Sequence, residues 1–224
     1  MAKGIRDKVV ILGAGCSKFG ERWVKMPKAF GMNVVEVKTE WGKAPTPEQI
    51  LSALKANPNA KAVYLVHSET STGTATDVKS MAKLIRENSN ALVCVDGITA
   101  VGAHELRFDD WGIDVCVTGS QKGLMIPPGL AFVAVSQRAI AAMESSKMPK
   151  FYFDLRKAVK SYADNDTPFT PAVSLIIGVD VALEMIRAEG IENVWKRHER
   201  LAAALRAGVL GLGLKLFSDS PSFA

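Results

Sequence analysis

The sequence has 224 residues, of which 48% are hydrophobic and 23% charged, with 18 Gly and 10 Pro. These proportions are those of an ordinary globular protein and exclude disordered, collagen-like and disulfide-rich classes. The net charge of +5 comes from 28 basic and 23 acidic residues that are interleaved, so we expect no nucleic-acid partner. No apolar stretch approaches the roughly 20 residues that span a bilayer, and no secretory signal opens the chain, so we expect a cytoplasmic protein that does not enter the membrane.

The cysteines and histidines indicate no metal or disulfide chemistry. Cys16, Cys94 and Cys116 are an odd number at wide spacing, and the last two lie in apolar runs where a reduced Cys packs as a small hydrophobe. The three His have no metal-ligand spacing, so no zinc site is expected.

Short apolar runs alternate with helical patterns over the first 140 residues, which is typical of a sheet built from strand–helix–strand units. The predicted strands are 8–12, 33–37, 62–67, 91–96, 113–118 and 130–135. The predicted helices between them are 19–29, 47–56 and about 75–87, the last with Thr72 or Thr74 as a candidate cap.

The pattern of apolar and polar residues changes after residue 140. Residues 144–166 are polar and Lys-rich without a clear period, so we expect an irregular segment there, followed by Thr167-Pro-Phe-Thr-Pro171. Two further helices are predicted over 174–188 and from 191 to about 207, the second stopped by Gly208, Gly211 and Gly213. Residues 214–217 read as the opening strand of another domain.

Polar segments follow three of the predicted strands, where ligands bind in open α/β sheets. They are His67-Ser-Glu-Thr-Ser-Thr-Gly73, Asp96-Gly-Ile-Thr99 and Thr118-Gly-Ser-Gln-Lys-Gly123. Each alone could be an ordinary cap or solvated loop. Together, an Asp at one strand end and a Lys at the next are what pyridoxal phosphate requires: an amine for the Schiff base and an acid for the pyridinium nitrogen. Gly13-Ala-Gly15 lacks the third glycine of a dinucleotide fingerprint.

The motifs His67-x-Glu-Thr-Ser-Thr-Gly73, Val95-Asp96 and Gly119-Ser-Gln-Lys122 with Pro127-Pro-Gly129 resemble the class V aminotransferases, particularly the alanine/serine–glyoxylate group. The resemblance implies a pyridoxal phosphate fold type I enzyme: an α/β/α sandwich with a mostly parallel mixed sheet, forming a homodimer whose active sites lie between subunits. It further implies transfer of an amino group from a small amino acid, alanine or serine, to a 2-oxo acid such as glyoxylate.

The same resemblance assigns roles to individual residues. Lys122 matches the Schiff-base lysine and Asp96 the partner of the pyridine nitrogen. Thr70 matches a hydroxyl near the 3′ oxygen of the cofactor, and Gln121 a contact to its phosphate. Phe19 matches the ring that stacks on the cofactor, and Ile98 matches the apolar residue beneath the cofactor ring. Thr170, or alternatively Thr167, matches the hydroxyl that reaches the phosphate of the neighbouring subunit. Simple core packing of Phe19 and Ile98 and an ordinary Pro turn at 167–171 remain open, and His67 is expected to be structural.

Two parts of the family pattern have no counterpart here. Family members carry a segment before the first strand that cradles the phosphate, and a small C-terminal domain with the Arg that binds the substrate carboxylate. We therefore expect a chain truncated at both ends, with residues 1–190 as the cofactor-binding large-domain core and 191–224 as a linker helix and the start of the small domain. The alternatives are a catalytically incompetent fragment that keeps the fold and dimer surface, or another class V reaction of the lyase or desulfurase type, against which Gln121 and the lack of a Cys after Cys116 argue.

Overall fold

The computed structural model describes residues 9–13 and 18–222, and side-chain environments from residue 22 onward. The strands, in chain order, are β1 (Val9–Gly13), β2 (Asn33–Glu36), β3 (Ala62–Val66), β4 (Ser68–Glu69), β5 (Thr74–Ala75), β6 (Leu92–Asp96), β7 (Val115–Gly119) and β8 (Ala131–Val135). The helices are α1 (Lys18–Ala29), α2 (Pro47–Ala56), α3 (Val78–Asn88), α4 (Gln137–Glu144), α5 (Leu155–Ala163), α6 (Val173–Glu189) and α7 (Ile191–Gly211). None of the described helices is long and apolar enough to cross a membrane.

Six strands form one mixed sheet in the order β2-β1-β3-β6-β7-β8. All neighbouring pairs are parallel except β7 and β8, which are antiparallel, while β4 and β5 form a separate small hairpin. Val66 of β3 pairs with Asp96 of β6, and Asp96 pairs with Val117 of β7. The carboxyl ends of β3, β6 and β7 therefore lie side by side.

Helices cover both faces of the sheet, because successive side chains of each strand point to opposite sides. On one face α2 and α3 pack a large core against β3 and β6; its fully buried members include Ile50, Ile85, Val63 and Val93. On the other face Trp23 and Val24 of α1 pack with Tyr64 of β3. The α/β/α sandwich expected from the sequence is therefore confirmed, and each fully buried Ile or Val contributes about 1.5–3 kcal/mol to it.

The last two helices pack back onto the sheet. Leu124, Ile186 and Val194 form a small buried cluster that joins α6 and α7 to the loop after β7. Beyond α7 the chain returns to β5, where the N–H of Ala75 donates to the carbonyl of Ser220 at 2.7 Å. The C-terminal residues therefore stay attached to the same hairpin that follows β3.

Two predictions about the second half of the chain are wrong. Residues 155–163, within the segment expected to be irregular, form α5, which Asp154 caps by accepting from the N–H of Arg156. Leu155, Ala158, Val159 and Tyr162 recur at helical spacing, so the sequence does carry the signal of this helix, although none of its residues is buried. Residues 214–217 are not a strand; the β-bridge of this region lies later, between Thr74 and Pro221.

Two smaller details also differ. The third helix starts at Val78, and its cap is Asp77, whose carboxylate accepts from the N–H of Ser80, rather than Thr72 or Thr74. The last helix does not stop at Gly208 but runs to Gly211, because an interior Gly costs a helix only about 1 kcal/mol and does not by itself end it.

Candidate active site

The loops after β3, β6 and β7 are tied together at the carboxyl edge of the sheet. The N–H of His67 donates to the carbonyl of Asp96 at 3.0 Å, and the N–H of Gly97 donates to the carbonyl of Val117 at 2.9 Å. The hydroxyls of Thr70 and Thr99 are 2.7 Å apart, so side chains also link the first loop to the second. The three polar segments noted in the sequence thus form one continuous edge.

Asp96, the last residue of β6, carries a carboxylate that is buried, with 7% of the residue exposed. The indole N–H of Trp23 donates to Oδ2 at 2.8 Å, and the backbone N–H of Ile98 donates to Oδ1 at 3.0 Å. Burial raises the pKa of this carboxyl, the two N–H donors oppose the rise, and the charge of Glu69 adds to it. Among the described residues, no Lys or Arg forms an ion pair with Asp96.

Lys122 lies on the loop between β7 and β8, and its side chain is exposed. The neighbouring Ser120 is fully buried and holds the loop in shape. Its hydroxyl donates to the carbonyl of Pro127 at 2.8 Å and accepts from the N–H of Leu130 at 3.2 Å. The carbonyl of Lys122 itself accepts from the N–H of Met125 at 2.9 Å, so the backbone that carries the amine is fixed.

Two glycines permit close approaches in the loops after β6 and β7. A Cβ on Gly123 would lie 2.2 Å from the carbonyl oxygen of Val101, closer than any real contact. A Cβ on Gly97 would lie 3.0 Å from Sγ of Cys116. Gly123 therefore lets the Lys122 loop pack directly against the backbone of the loop after Asp96, and Gly97 lets that loop pack closely on β7.

His67 is buried at this edge as a neutral, packed side chain. Its ring centroid lies 5.2 Å from that of His104 and 6.2 Å from that of Trp111. Burial lowers the pKa of His67 to about 4. Within the described part of the chain its Nδ1 has no hydrogen-bond partner. This environment agrees with the expectation that His67 is structural.

Of the other predicted site residues, two lie beside Lys122 and Asp96 in the chain and one lies on a separate loop. Gln121 is exposed next to Lys122, and Ile98 is half-buried beside Asp96. Thr170 is exposed on the loop before α6, where its neighbour Phe169 stacks on Tyr152 with ring centroids 4.4 Å apart.

The remaining two candidates are Thr167 and Phe19. The alternative hydroxyl, that of Thr167, donates to the carbonyl of Phe169 at 2.8 Å. Phe19 lies in the first turn of α1, but its side chain is outside the described residues. The structure therefore brings together the loops of Thr70, Asp96 and Lys122 and places Thr170 on a separate loop.

Two residues at the site were not singled out from the sequence. Trp23 contacts Asp96 across 73 positions of sequence, and Thr99 contacts Thr70 across 29. The signal for Trp23 would have been its spacing from Phe19, since residues four apart share a helix face. Thr99 belongs to the Asp96-Gly-Ile-Thr99 segment, but its partner could not be read from spacing.

Comparisons with known proteins show the family to which the chain belongs. The family described as aminotransferase class-V matches residues 3–220 of the chain. The chain is 44% identical over 214 residues (95% of its length and 55% of the relative's) to the soluble hydrogenase 42 kDa subunit of Anabaena cylindrica. It is 42% identical over 219 residues (96% and 54%) to the L-aspartate–glyoxylate aminotransferase of Paracoccus denitrificans.

A solved structure gives the same result for the fold. The crystal structure of alanine–glyoxylate aminotransferase from Nostoc sp. superposes with a TM-score of 0.88 at 30% identity, covering 95% of this chain and 56% of that one. The chain thus spans about half the length of the curated relatives that it matches.

Proposed function

Since the chain belongs to the class V aminotransferase family, we propose that it forms the cofactor-binding core of a pyridoxal phosphate-dependent transaminase. The proposed donor is a small amino acid, alanine or serine, and the proposed acceptor is a 2-oxo acid such as glyoxylate. The observation that carries the proposal is Asp96, a buried carboxylate with neutral hydrogen-bond donors, next to the strand that leads to the exposed Lys122.

The residues at the carboxyl edge fit pyridoxal phosphate. A buried carboxylate whose two hydrogen-bond donors, the indole of Trp23 and the backbone N–H of Ile98, are uncharged is suited to a cationic N–H, and the protonated ring nitrogen of the cofactor is such a group. Asp96 would hold that nitrogen, Lys122 the aldehyde carbon, Thr70 the 3′ oxygen and Gln121 the phosphate. When bound, pyridoxal phosphate supplies an electron sink for the bond that breaks at the α-carbon of the substrate.

We propose three further contacts to the cofactor. They are stacking by Phe19, an apolar floor from Ile98, and a hydroxyl that Thr170 gives to the phosphate of a neighbouring subunit in a homodimer. The exposed position of Thr170 is compatible with a contact outside its own chain.

The side chains then have distinct tasks. Nζ of Lys122 would hold the aldehyde carbon of the cofactor, and when free the same nitrogen would carry the proton of the substrate α-carbon. The carboxylate of Asp96 would keep a proton on the ring nitrogen, and its burial would strengthen that interaction because the local dielectric is low. The exposure of Lys122 leaves its amine accessible to both the cofactor and the substrate.

The choice of acceptor is supported by the relatives' names. Two of the three relatives above, from Paracoccus denitrificans and Nostoc sp., are named as glyoxylate aminotransferases, one with aspartate and one with alanine as the other substrate. The two names share glyoxylate and differ in the amino acid, so they support the choice of acceptor and do not select a donor.

The proposal is tested by adding pyridoxal phosphate to the chain and recording the yellow absorbance band of the bound cofactor. We expect the wild type and a Lys61→Ala control to show the band and Lys122→Ala to lose it. Lys61 is a matched control because it is also exposed but precedes β3, at the opposite edge of the sheet. An unchanged band in Lys122→Ala would rule out this lysine as the attachment point.

A second measurement separates a transaminase from an inert fragment. Adding alanine or serine to the loaded chain should bleach the band as the amino group moves to the cofactor, and glyoxylate should restore it. A band that no amino acid changes would favour the catalytically incompetent alternative.

A further inference from the structure

The contact between Trp23 and Asp96 is a feature of the site that the motifs do not include. Trp23 lies on α1, and its indole N–H reaches the carboxylate at the end of β6, where it donates to Oδ2 at 2.8 Å. An indole N–H can only donate, so it requires an acceptor at this oxygen. The contact therefore favours a carboxylate over a carboxylic acid that places its proton there.

The ring of Trp23 is held in place by its own neighbours. Its centroid lies 5.0 Å from that of Tyr64, with the rings tilted by 34°, and it packs on a small apolar cluster with Val24, Met32 and Val34. Tyr64 belongs to β3, the strand next to β6 in the sheet. The donor is thus fixed relative to the same sheet that carries the carboxylate.

The second oxygen of Asp96 is fixed as well, because the backbone N–H of Ile98 donates to Oδ1 at 3.0 Å. With one donor on each oxygen, the plane of the carboxylate is defined and a lone pair on each oxygen remains for another partner. Burial and the charge of Glu69 raise the pKa of the carboxyl, so the indole donor counteracts protonation.

We propose that Trp23 is a positioning residue, whose indole N–H sets the orientation and the ionised state in which Asp96 meets the ring nitrogen of the cofactor. The inference rests on the proposed function. Trp23 does not touch the reacting atoms; it acts through Asp96.

Trp23→Phe tests the proposal because it keeps an aromatic ring and removes the donor. We expect the pKa of the Asp96 carboxyl, followed by carbon NMR in the cofactor-free chain, to rise relative to the wild type. The affinity for pyridoxal phosphate should fall about tenfold, the usual effect of losing one hydrogen bond to a charged group. An unchanged carboxyl pKa would overturn the proposal.

Trp195→Phe is the matched control. Trp195 is also half-buried, but its indole N–H makes no hydrogen bond within the described part of the chain. This variant should keep the wild-type carboxyl pKa and cofactor affinity, so that general loosening by a Trp→Phe change is accounted for. A tenfold loss of affinity in Trp195→Phe as well would point to loosening and overturn the specific role of Trp23.

A double-mutant cycle with Asp96→Asn separates positioning from packing. If Trp23 acts through the carboxylate, Trp23→Phe should change the cofactor affinity of Asp96→Asn by less than about twofold. An equal tenfold loss in both backgrounds would mean that Trp23 acts by packing alone. If the wild type itself does not bind pyridoxal phosphate, the proposed function fails; if it binds and Trp23→Phe binds equally well, the inference about Trp23 alone fails.

Discussion

Two of the buried aspartates among the described residues, Asp114 and Asp96, lie at opposite edges of the sheet, and their surroundings differ. Asp114, just before β7 and 1% exposed, faces two cations: Arg138 at 3.0 Å and Arg86 at 3.8 Å. It also accepts from the hydroxyl of Ser136 at 2.7 Å and from the backbone N–H of Val93 at 2.9 Å. Asp96, at the carboxyl edge, accepts from two uncharged donors.

The difference separates a structural carboxylate from one that is available for chemistry. The charge of Asp114 is compensated within the protein, and its partners join β6, β7, α3 and α4. The charge of Asp96 is oriented by hydrogen bonds but has no cation beside it among the described residues. A buried charge without a counter-ion costs stability, and such sites cluster where a ligand completes them.

The largest effect should come from Asp114→Asn. The change removes the negative charge that faces two arginines and replaces one acceptor oxygen with a donor, so we expect the free energy of unfolding to fall by about 3 kcal/mol. Urea denaturation at pH 7 measures it. A loss below 1 kcal/mol would mean that water, rather than Asp114, stabilises the charges of the two arginines. Asp114 would then have no structural role that Asp96 lacks.

Acid should affect the Asp96 edge through its neighbour His67. The pKa of His67 falls from 6.5 in the unfolded chain to about 4 in the fold, so the unfolded state binds more protons between these values. Stability contributed by the neutral ring is complete above pH 6.5 and is lost as the pH falls towards 4, by about 3 kcal/mol.

This pH dependence has its own control. His67→Phe keeps a ring against His104 and Trp111 but removes the titrating group, so the free energy of unfolding should fall less between pH 7 and 4.5 than in the wild type. Equal slopes in the two proteins would show that other groups cause the acid sensitivity.

The smallest stability effect should come from Asp96→Asn, the same chemical change as at Asp114. The amide leaves one N–H donor poorly matched but removes the cost of burying a charge, so the free energy of unfolding should change by about 1 kcal/mol or less. Affinity for pyridoxal phosphate should nevertheless fall. A change in stability equal to that of Asp114→Asn would remove the distinction between the two aspartates.

The sequence predicts the sheet and the polar loops at its carboxyl edge well, because both are local features. Apolar runs locate all six strands of the main sheet to within two residues, and the glycines after Asp96 and Lys122 mark loops that must pack closely. What it misses depends on long-range contacts, except α5, whose apolar residues recur at helical spacing but are not buried. The pairing of Trp23 with Asp96 spans 73 residues, and the role of Asp114 depends on Arg138 24 positions later.

The most direct test of the account is to identify the residue that holds pyridoxal phosphate. The cofactor-loaded chain is reduced with borohydride, which makes the attachment permanent, then digested and analysed by mass spectrometry. We expect the added mass of a reduced pyridoxyl phosphate group on the peptide that contains Lys122. The same mass on another lysine, or spread over several, would contradict the assignment of this edge of the sheet as the active site.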